Sequence, residues 1–505
     1  MGGHGERSPA SPAASKWPAR VVSQLAIVLL ALAAMPFAPA DRGPAAGFSA
    51  GDAEAAGKAS GVRSGGSRSM SAALPGGRAR PGSRARGIRR PDEFQTIRLD
   101  APRILSLACG DVMEKDWNDG QRQNARRDVD LVVGADASGT AQLSVWFNWY
   151  DNNPLFNRDP DFACTAPNDV LALAVDTISA GAPFQARREV VGGTKLSGAG
   201  NLFVWFCQAS SGNEGYPLAS YSLAYTTQDR GDARAIATGD VAGGAGIDIL
   251  VGTKSPAAGQ GTIELWKSDD DALPAFSRLE VYPPSGGLPG GRLCEVTGLV
   301  LTSLRGSGQD LVVGTRTGDT SGQLAVFSRV DSASVFTLRW LETYGDGAVT
   351  CLAVGDIDDD GRNDIVVGLR TGSSQGRLEH WRNSTRGDVI DLERRSTSTL
   401  GRGFPLCVAL GDLVGAKGAD AAVGWRADEK SYEGGVSLYD CDGGSLPAEG
   451  SDPSDGSIVN MVPAIALGDF NYGVKPSPPP PRLRLDFIAG VRKSVATGEL
   501  VVFVH

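Results

Sequence analysis

Histidine is almost missing from this chain. Only His4, His380 and His505 occur in 505 residues, too few and too scattered to assemble a Ser-His-Asp set or a histidine-bearing zinc site. Cysteine is sparse and odd in number, at 7. Cys109, Cys351 and Cys407 fall in apolar stretches where a small buried hydrophobe suffices, and Cys164 with Cys207 is the pair placed for a bridge in an oxidising compartment. Long apolar runs are lacking too: the best, residues 21–35, falls short of the roughly 20 residues that a spanning helix needs. Positive charge is scarce where nucleic acid would require it. Residues 1–90 hold 13 Lys/Arg against 4 Asp/Glu, whereas the remainder holds 36 against 54, and a body this acidic argues against a nucleic-acid partner.

What is present begins with an address. The run 21–35 follows Lys16 and Arg20 and precedes Ala38-Pro39-Ala40. Positive flank, apolar core and small-residue site make residues 1–40 an export signal, placing the mature protein outside the cytoplasm: secreted, at the cell surface, or in a periplasm. Retention of the segment would tether it to a membrane instead. Residues 41–92 are rich in Gly, Ser, Ala, Pro and Arg without hydrophobic periodicity, which makes them a disordered linker.

From residue 93 to 505 the chain repeats itself. The element acid-apolar-apolar-apolar-Gly occurs at Asp130–Gly134, Asp248–Gly252, Asp310–Gly314, Asp364–Gly368, Asp420–Gly424 and Asp486–Gly490, with Glu189–Gly193 a close variant. Seven acids thus stand four residues before seven glycines, which recur every 54 to 66 residues. A second element follows, Gly-x-apolar-x-x-aromatic, ending at Trp205, Trp266, Phe327, Trp381, Tyr439 and Phe503; the first copy has Ala141, Leu143 and Trp146. A third precedes the acid and closes on Gly-Asp at 110–111, 239–240, 355–356, 411–412 and 468–469, with Val175-Asp176 a near match and Leu301-Thr302 a loss. Segments such as 276–282 and 336–341 supply a fourth strand. Seven copies of four short strands predict an all-β, seven-bladed β-propeller of four-stranded antiparallel blades with a continuous core. The last copy stops at its third strand, so residues 93–100, ahead of the first copy, are expected to pair there and close the ring.

One copy carries more. In the stretch 355–370, Asp356, Asp358, Asp360 and Asp364 stand at positions 1, 3, 5 and 9 with Gly361 at 6, an oxygen-rich spacing that suits calcium. Four carboxylates this close repel one another without a cation. Elsewhere the ligand positions have been lost: Ala242 and Gly244, Val414 and Ala416, or Thr302, Leu304 and Gly306 stand in them. Copies one and seven keep only remnants, Asp116, Asn118, Asp469 and Asn471. With this loop, the repeats resemble the FG-GAP/VCBS repeats of integrin alpha-subunit-type propellers over about residues 93–505. That resemblance implies a calcium ion held by Asp356, Asp358, Asp360, Asp364 and the backbone carbonyl of Arg362, and an extracellular, largely non-enzymatic role in adhesion and ligand binding.

Two residues past the repeat glycine comes a cation in six copies: Lys195, Lys254, Arg316, Arg370, Arg426 and Arg492; the first copy has Asp136. Arranged in a circle they would form a ligand-binding ring for a carboxylate-, sulfate- or phosphate-bearing partner, or each would pair with an acid of the next blade. The recurrent aromatics are expected between blades, and Trp117, Trp149 and Trp425, off that position, are candidates for ligand contact. The reading is therefore a monomeric calcium-binding module, not an enzyme, whose partner is an extracellular protein or acidic glycan. A secreted polysaccharide lyase or hydrolase with the propeller face as platform is the alternative, and would require clustered carboxylates or a Tyr/Lys/Arg set in one concave pocket.

Overall fold

Asp-flanked runs of Val, Ile and Leu bounded by Gly favour strands buried on both faces. The computed structural model describes residues within 92–504 apart from a set of loops, the longest being 113–128, 177–188, 208–217, 283–294 and 471–484. The expected signal (1–40) and linker (41–92) lie outside the described residues, save Asp92. Each acid-to-glycine element forms the second strand of a small antiparallel sheet, and Asp364–Arg370 is buried at every position.

The strand before it lies innermost: Arg103–Gly110, Val170–Asp176, Asp232–Gly239, Glu295–Thr302, Ala348–Gly355, Phe404–Gly411 and Met461–Gly468. All seven break register near their start, between Ile104/Ser106, Val170/Ala172, Ala233/Ala235, Val296/Gly298, Val349/Cys351, Pro405/Cys407 and Met461/Ala464. A bulge adds local twist, so its sevenfold recurrence gives every blade the same bend at the same place. In the fifth blade the third and outer strands are Gly376–Asn383 and Leu392–Leu400.

The chain is an all-β propeller. Consecutive inner strands are neighbours, and the last of them, Met461–Gly468, also lies beside the first, Arg103–Gly110. No sheet closes on itself among the described residues; the circle is completed by blade packing on blade. Asp92–Leu99 pairs antiparallel with Gly498–Val504 as the outer strand of the last blade, as expected. Two details depart from the repeat. Blades three and four are joined through one pair, Lys254↔Glu295. Among the described residues the sixth blade shows three strands, and after Tyr439 the outer position holds a single bridge, Leu438↔Ser451. Its sequence there, with Gly443, Gly444, Pro447 and Gly450, is turn chemistry that cannot continue a ladder.

The core is divided among the seams. Seven apolar clusters among the described residues each draw on two neighbouring blades, and the third-strand aromatic sits in every one. Trp381 packs with Val312 and Val326 of blade four, and Trp146 packs with Ile488 and Val502 of blade seven. The aromatics are thus core, as expected from their spacing. The repeat glycine does the complementary job of leaving space. A Cβ at Gly252 would run into Val296 Cγ1, and one at Gly490 would lie 2.7 Å from Ile104 Cγ2. Only a residue without a side chain lets the next inner strand approach.

The repeat acid pins each blade from within. All seven are 3% exposed or less. Asp248 accepts from the backbone N–H groups of Val241 and Ala242 (2.8 and 2.5 Å) in the first loop and of Ser268 (3.1 Å) at the end of the third strand. Asp130, Asp364 and Asp420 repeat the pattern with Val112 and Asn148, Ile357 and Asn383, and Leu413, Val414 and Cys441. Burial pushes the Asp420 carboxyl up to about 6, against the pull of its three N–H donors.

Two outcomes follow. Gly490→Ala should destabilise the chain, and Ile104→Ala should relieve part of that loss, so thermal unfolding of the double variant should be less damaged than the two single losses added together. Additive losses would mean that blades seven and one do not touch there. For Asp420, the folded chain between about pH 4 and about 6 keeps a proton that the unfolded chain has lost, so its contribution is present below about 4 and is lost as pH rises through about 6. Asp420→Asn should remove that part of the pH slope in urea unfolding; parallel slopes would contradict it.

Candidate metal centre

The acidic loop bridges the inner and second strands of the fifth blade, Ala348–Gly355 and Asp364–Arg370. Asp359 (φ 57°) and Gly361 (φ 83°) both take left-handed backbone, which curls the loop so that its carboxylates converge. Asp356 accepts from the N–H groups of Asp360 (3.1 Å) and Gly361 (2.8 Å), and Asp360 from that of Arg362 (3.0 Å). One oxygen from each of Asp356, Asp358 and Asp360 lies within 4.8 Å of the others. That separation fits oxygens around an ion with ligand distances of about 2.3–2.6 Å. Asp358 Oδ1 is buried and accepts no hydrogen bond.

The other two expected ligand residues make further contacts of their own. Asp364 is fully buried, and its oxygens face Ile357 N (3.3 Å), Asn383 N (2.8 Å) and His380 Nε2 (3.1 Å); it serves as this blade's pinning acid. The side chain of Arg362 reaches away to the Thr385 carbonyl (2.9 Å). His380, inside the third strand, is fully buried against Asp364.

A residue that sequence reasoning missed lies over the acids. Arg382, one step past the blade aromatic, forms ion pairs with Asp358 (2.6 Å) and Asp360 (3.3 Å). Burial, followed by the charges of Asp364 and Asp360, pushes the Asp358 carboxyl above the usual carboxylate range, while Arg382 pulls it back. Asp358 in turn holds the Arg382 guanidinium above its ordinary value. The signal was faint: nothing in the loop's own spacing shows that the third strand returns beside it.

The loop also forms part of a seam. Asp356 O accepts from Ala419 N (2.7 Å) of blade six. Gly418 (φ +81°) presses on the Ile357 carbonyl so closely that a Cβ there would collide with it. Gly444 stands against Asp358 in the same way, its Cβ position 3.0 Å from that of Asp358. Of the degenerate loops, Asp240 is exposed and accepts only from Gly243 N (3.0 Å) among the bonds seen there.

On the opposite face, four of the six ring cations have carboxylate partners. Lys195 pairs with Asp169, Lys254 with Glu295 (3.3 Å), Arg316 with Asp319 (2.7 Å) and Arg370 with Glu429. Asp136, in the odd copy, pairs with Arg103. Arg426 and Arg492 instead bond to oxygens of the chain: Arg426 Nε to Ser431 O (2.9 Å), and Arg492 Nε to Ser494 O (3.3 Å). Trp425 lies in a strand, its ring against Gly435. Trp117, Trp149 and the side chains of Cys164 and Cys207 lie outside the described residues. A cleft of about 680 Å³ opens beside the closing strand, and its lining includes one carboxylate, Glu499, tied to Lys493 and to Arg98 (3.7 Å). Among the described lining residues Glu499 has no second carboxylate beside it of the kind sugar cleavage pairs.

Comparison with known proteins bears on the fold alone. Solved structures similar to the chain include the Dos1 propeller (11% identity, TM-score 0.45, covering 82% of this chain and 95% of that one). Another is BBS1N in complex with ARL6DN, soaked with lead (11% identity, TM-score 0.41, covering 83% and 94%). No family model and no curated protein matches the chain.

Arg382 gives the centre its test. Without metal, Arg382→Ala leaves three converging carboxylates uncompensated, and calcium-free unfolding should come about 1 kcal/mol earlier than for the wild type, the gap narrowing at high salt. An unchanged stability at low salt would contradict the pairing.

Proposed function

We propose that this chain is an exported, calcium-binding propeller of the FG-GAP/VCBS type, acting as a binding or adhesion module for an extracellular protein or acidic glycan. The observation that carries the metal reading is the convergence of Asp356, Asp358 and Asp360 around the bare, buried Asp358 Oδ1. The three carboxylates would hold the ion, with Asp364 behind them as a charge held in place by backbone N–H groups. Bound calcium would supply positive charge at the seam of blades five and six, where Asp356 O and Asp358 meet Ala419 and Gly444. Its role is structural bracing. Arg382 occupies the same field, so it competes with the ion and keeps the loop compensated when calcium is low.

Export rests on residues 1–40, and the binding role on the resemblance of the repeats to FG-GAP/VCBS propellers. Calcium at a hundredfold excess over its Kd should stabilise the full chain by about 2.7 kcal/mol in thermal unfolding, reversed by a chelator. Asp358→Asn and Asp360→Asn should abolish the gain, and Arg382→Gln should lower the calcium concentration needed. A melting temperature indifferent to calcium would overturn the metal reading, and a calcium-loaded protein silent on a glycan array would remove the glycan partner.

A further inference from the structure

The loop between the second and third strands of blade six, residues 427–433, gathers arginines from three blades. Arg370 of blade five pairs with the Glu429 carboxylate. Arg426, of blade six itself, donates to the carbonyls of Glu429 and Ser431. Arg492 of blade seven lies over the Tyr432 ring, 4.9 Å from its centroid, with Nη2 directed at the Tyr432 hydroxyl (3.4 Å).

With this loop stand four cations, Arg370, Arg426, Lys430 and Arg492, and three acids, Asp428, Glu429 and Glu433. Glu429 is taken by Arg370, and Asp428 turns its carboxylate into its own loop, accepting from Lys430 N (2.6 Å) and Ser431 N (2.7 Å). Among the described residues neither Arg426 nor Arg492 has an ion pair. Both are half-buried, and each keeps one terminal nitrogen, Nη1, with no acceptor in a described hydrogen bond. Burial, and beyond it the positive charges of Arg103 and Arg426, hold the Arg492 guanidinium below its ordinary range. A bound anion would relieve that cost. The Tyr432 ring and the Ser431 and Ser494 carbonyls hold the two guanidinium planes in place, so little side-chain freedom is left to lose on binding.

We propose that Arg426 and Arg492, set around Tyr432 at the seam of blades six and seven, form an oxyanion-binding site for a carboxylate, sulfate or phosphate group. This deepens the binding-module reading by placing its acidic ligand at one seam. The other ring cations already pair with Asp169, Glu295, Asp319 and Glu429, so the proposed site is confined to the two that do not.

The experiment is a ligand-observed NMR titration of the full chain with glucuronate, glucose 6-sulfate and inorganic phosphate, with methyl glucoside as the neutral control. The three anions should bind and methyl glucoside should not, and the ranking among the anions identifies the source chemistry. Arg492→Gln and Arg426→Gln should each weaken binding about tenfold or more, and Arg492→Lys should weaken it in part, keeping the charge but losing the fork. Lys254→Gln and Arg316→Gln should leave it unchanged. Should Arg492→Gln fail to fold, Arg426→Gln and Arg492→Lys carry the test. Absence of binding by all three anions, or equal losses in the lysine and arginine variants, overturns the site. The titration is run with calcium and again with chelator, so failure of the metal reading leaves this result interpretable by itself.

Discussion

The fold depends on a carboxylate buried where no solvent can screen it. In six of the blades the acid that opens the second strand accepts a backbone N–H of the first loop, and in five of these a bond to the end of the third strand can be traced as well. A buried ionised group is costly alone, and its cost falls only when several donors converge on it. The arrangement therefore works as a requirement: the loop and the third strand must arrive together, or the charge stays unsatisfied. That makes each blade internally cooperative before it meets its neighbours.

Between blades the constraint changes from polar to steric. The glycine four residues past the acid leaves room for the next inner strand, and the third-strand aromatic fills the seam on the other side. Each blade thus offers its neighbour a gap on one face and a wedge on the other, a relation that propagates in one direction and needs a circle to end it. Gly490 against Ile104, and Trp146 among Ile488 and Val502, bring that relation back to its start. The strand Asp92–Leu99 covers the outer edge of the last blade.

Why the architecture was legible while the site was only half legible follows from these same interactions. Acid, glycine and aromatic occupy fixed offsets because each meets the same partner in every blade, so spacing alone exposed the repeat and the closing strand. That the described residues of blade six form three strands left no gap in that spacing, because the fourth strand carries none of the three markers. The acidic loop was visible because its ligands are close in sequence. Arg382 was not, since it reaches Asp358 across the sheet, and a pairing between strands leaves no trace in local spacing. That a ring cation could pair with an acid of the next blade was readable from the circle; which acid, Glu295 for Lys254 and Glu429 for Arg370, was not, because spacing does not show which loop residue a neighbouring blade presents.

The blades also differ in how they compensate the buried acid. In blade four Arg305, 5% exposed at its side chain, supplies the charge: its Nε lies 2.9 Å from the pinning acid Asp310, with Ser328 Oγ at 2.6 Å. In blade five that place is held by His380 against Asp364, with the aspartate trio and Arg382 just outside. In blade six Asp420 has three backbone N–H groups and no side-chain donor among its described bonds, and its carboxyl stands at about 6. One structural problem, a buried negative charge under the first loop, has thus met at least three answers in one ring. A cation bound by the blade-five loop belongs to that series, as a fourth way of compensating charge at a seam. On that reading the loop would be a brace, and the proposed recognition would fall to the opposite face, where Arg426 and Arg492 make no ion pair among the described residues.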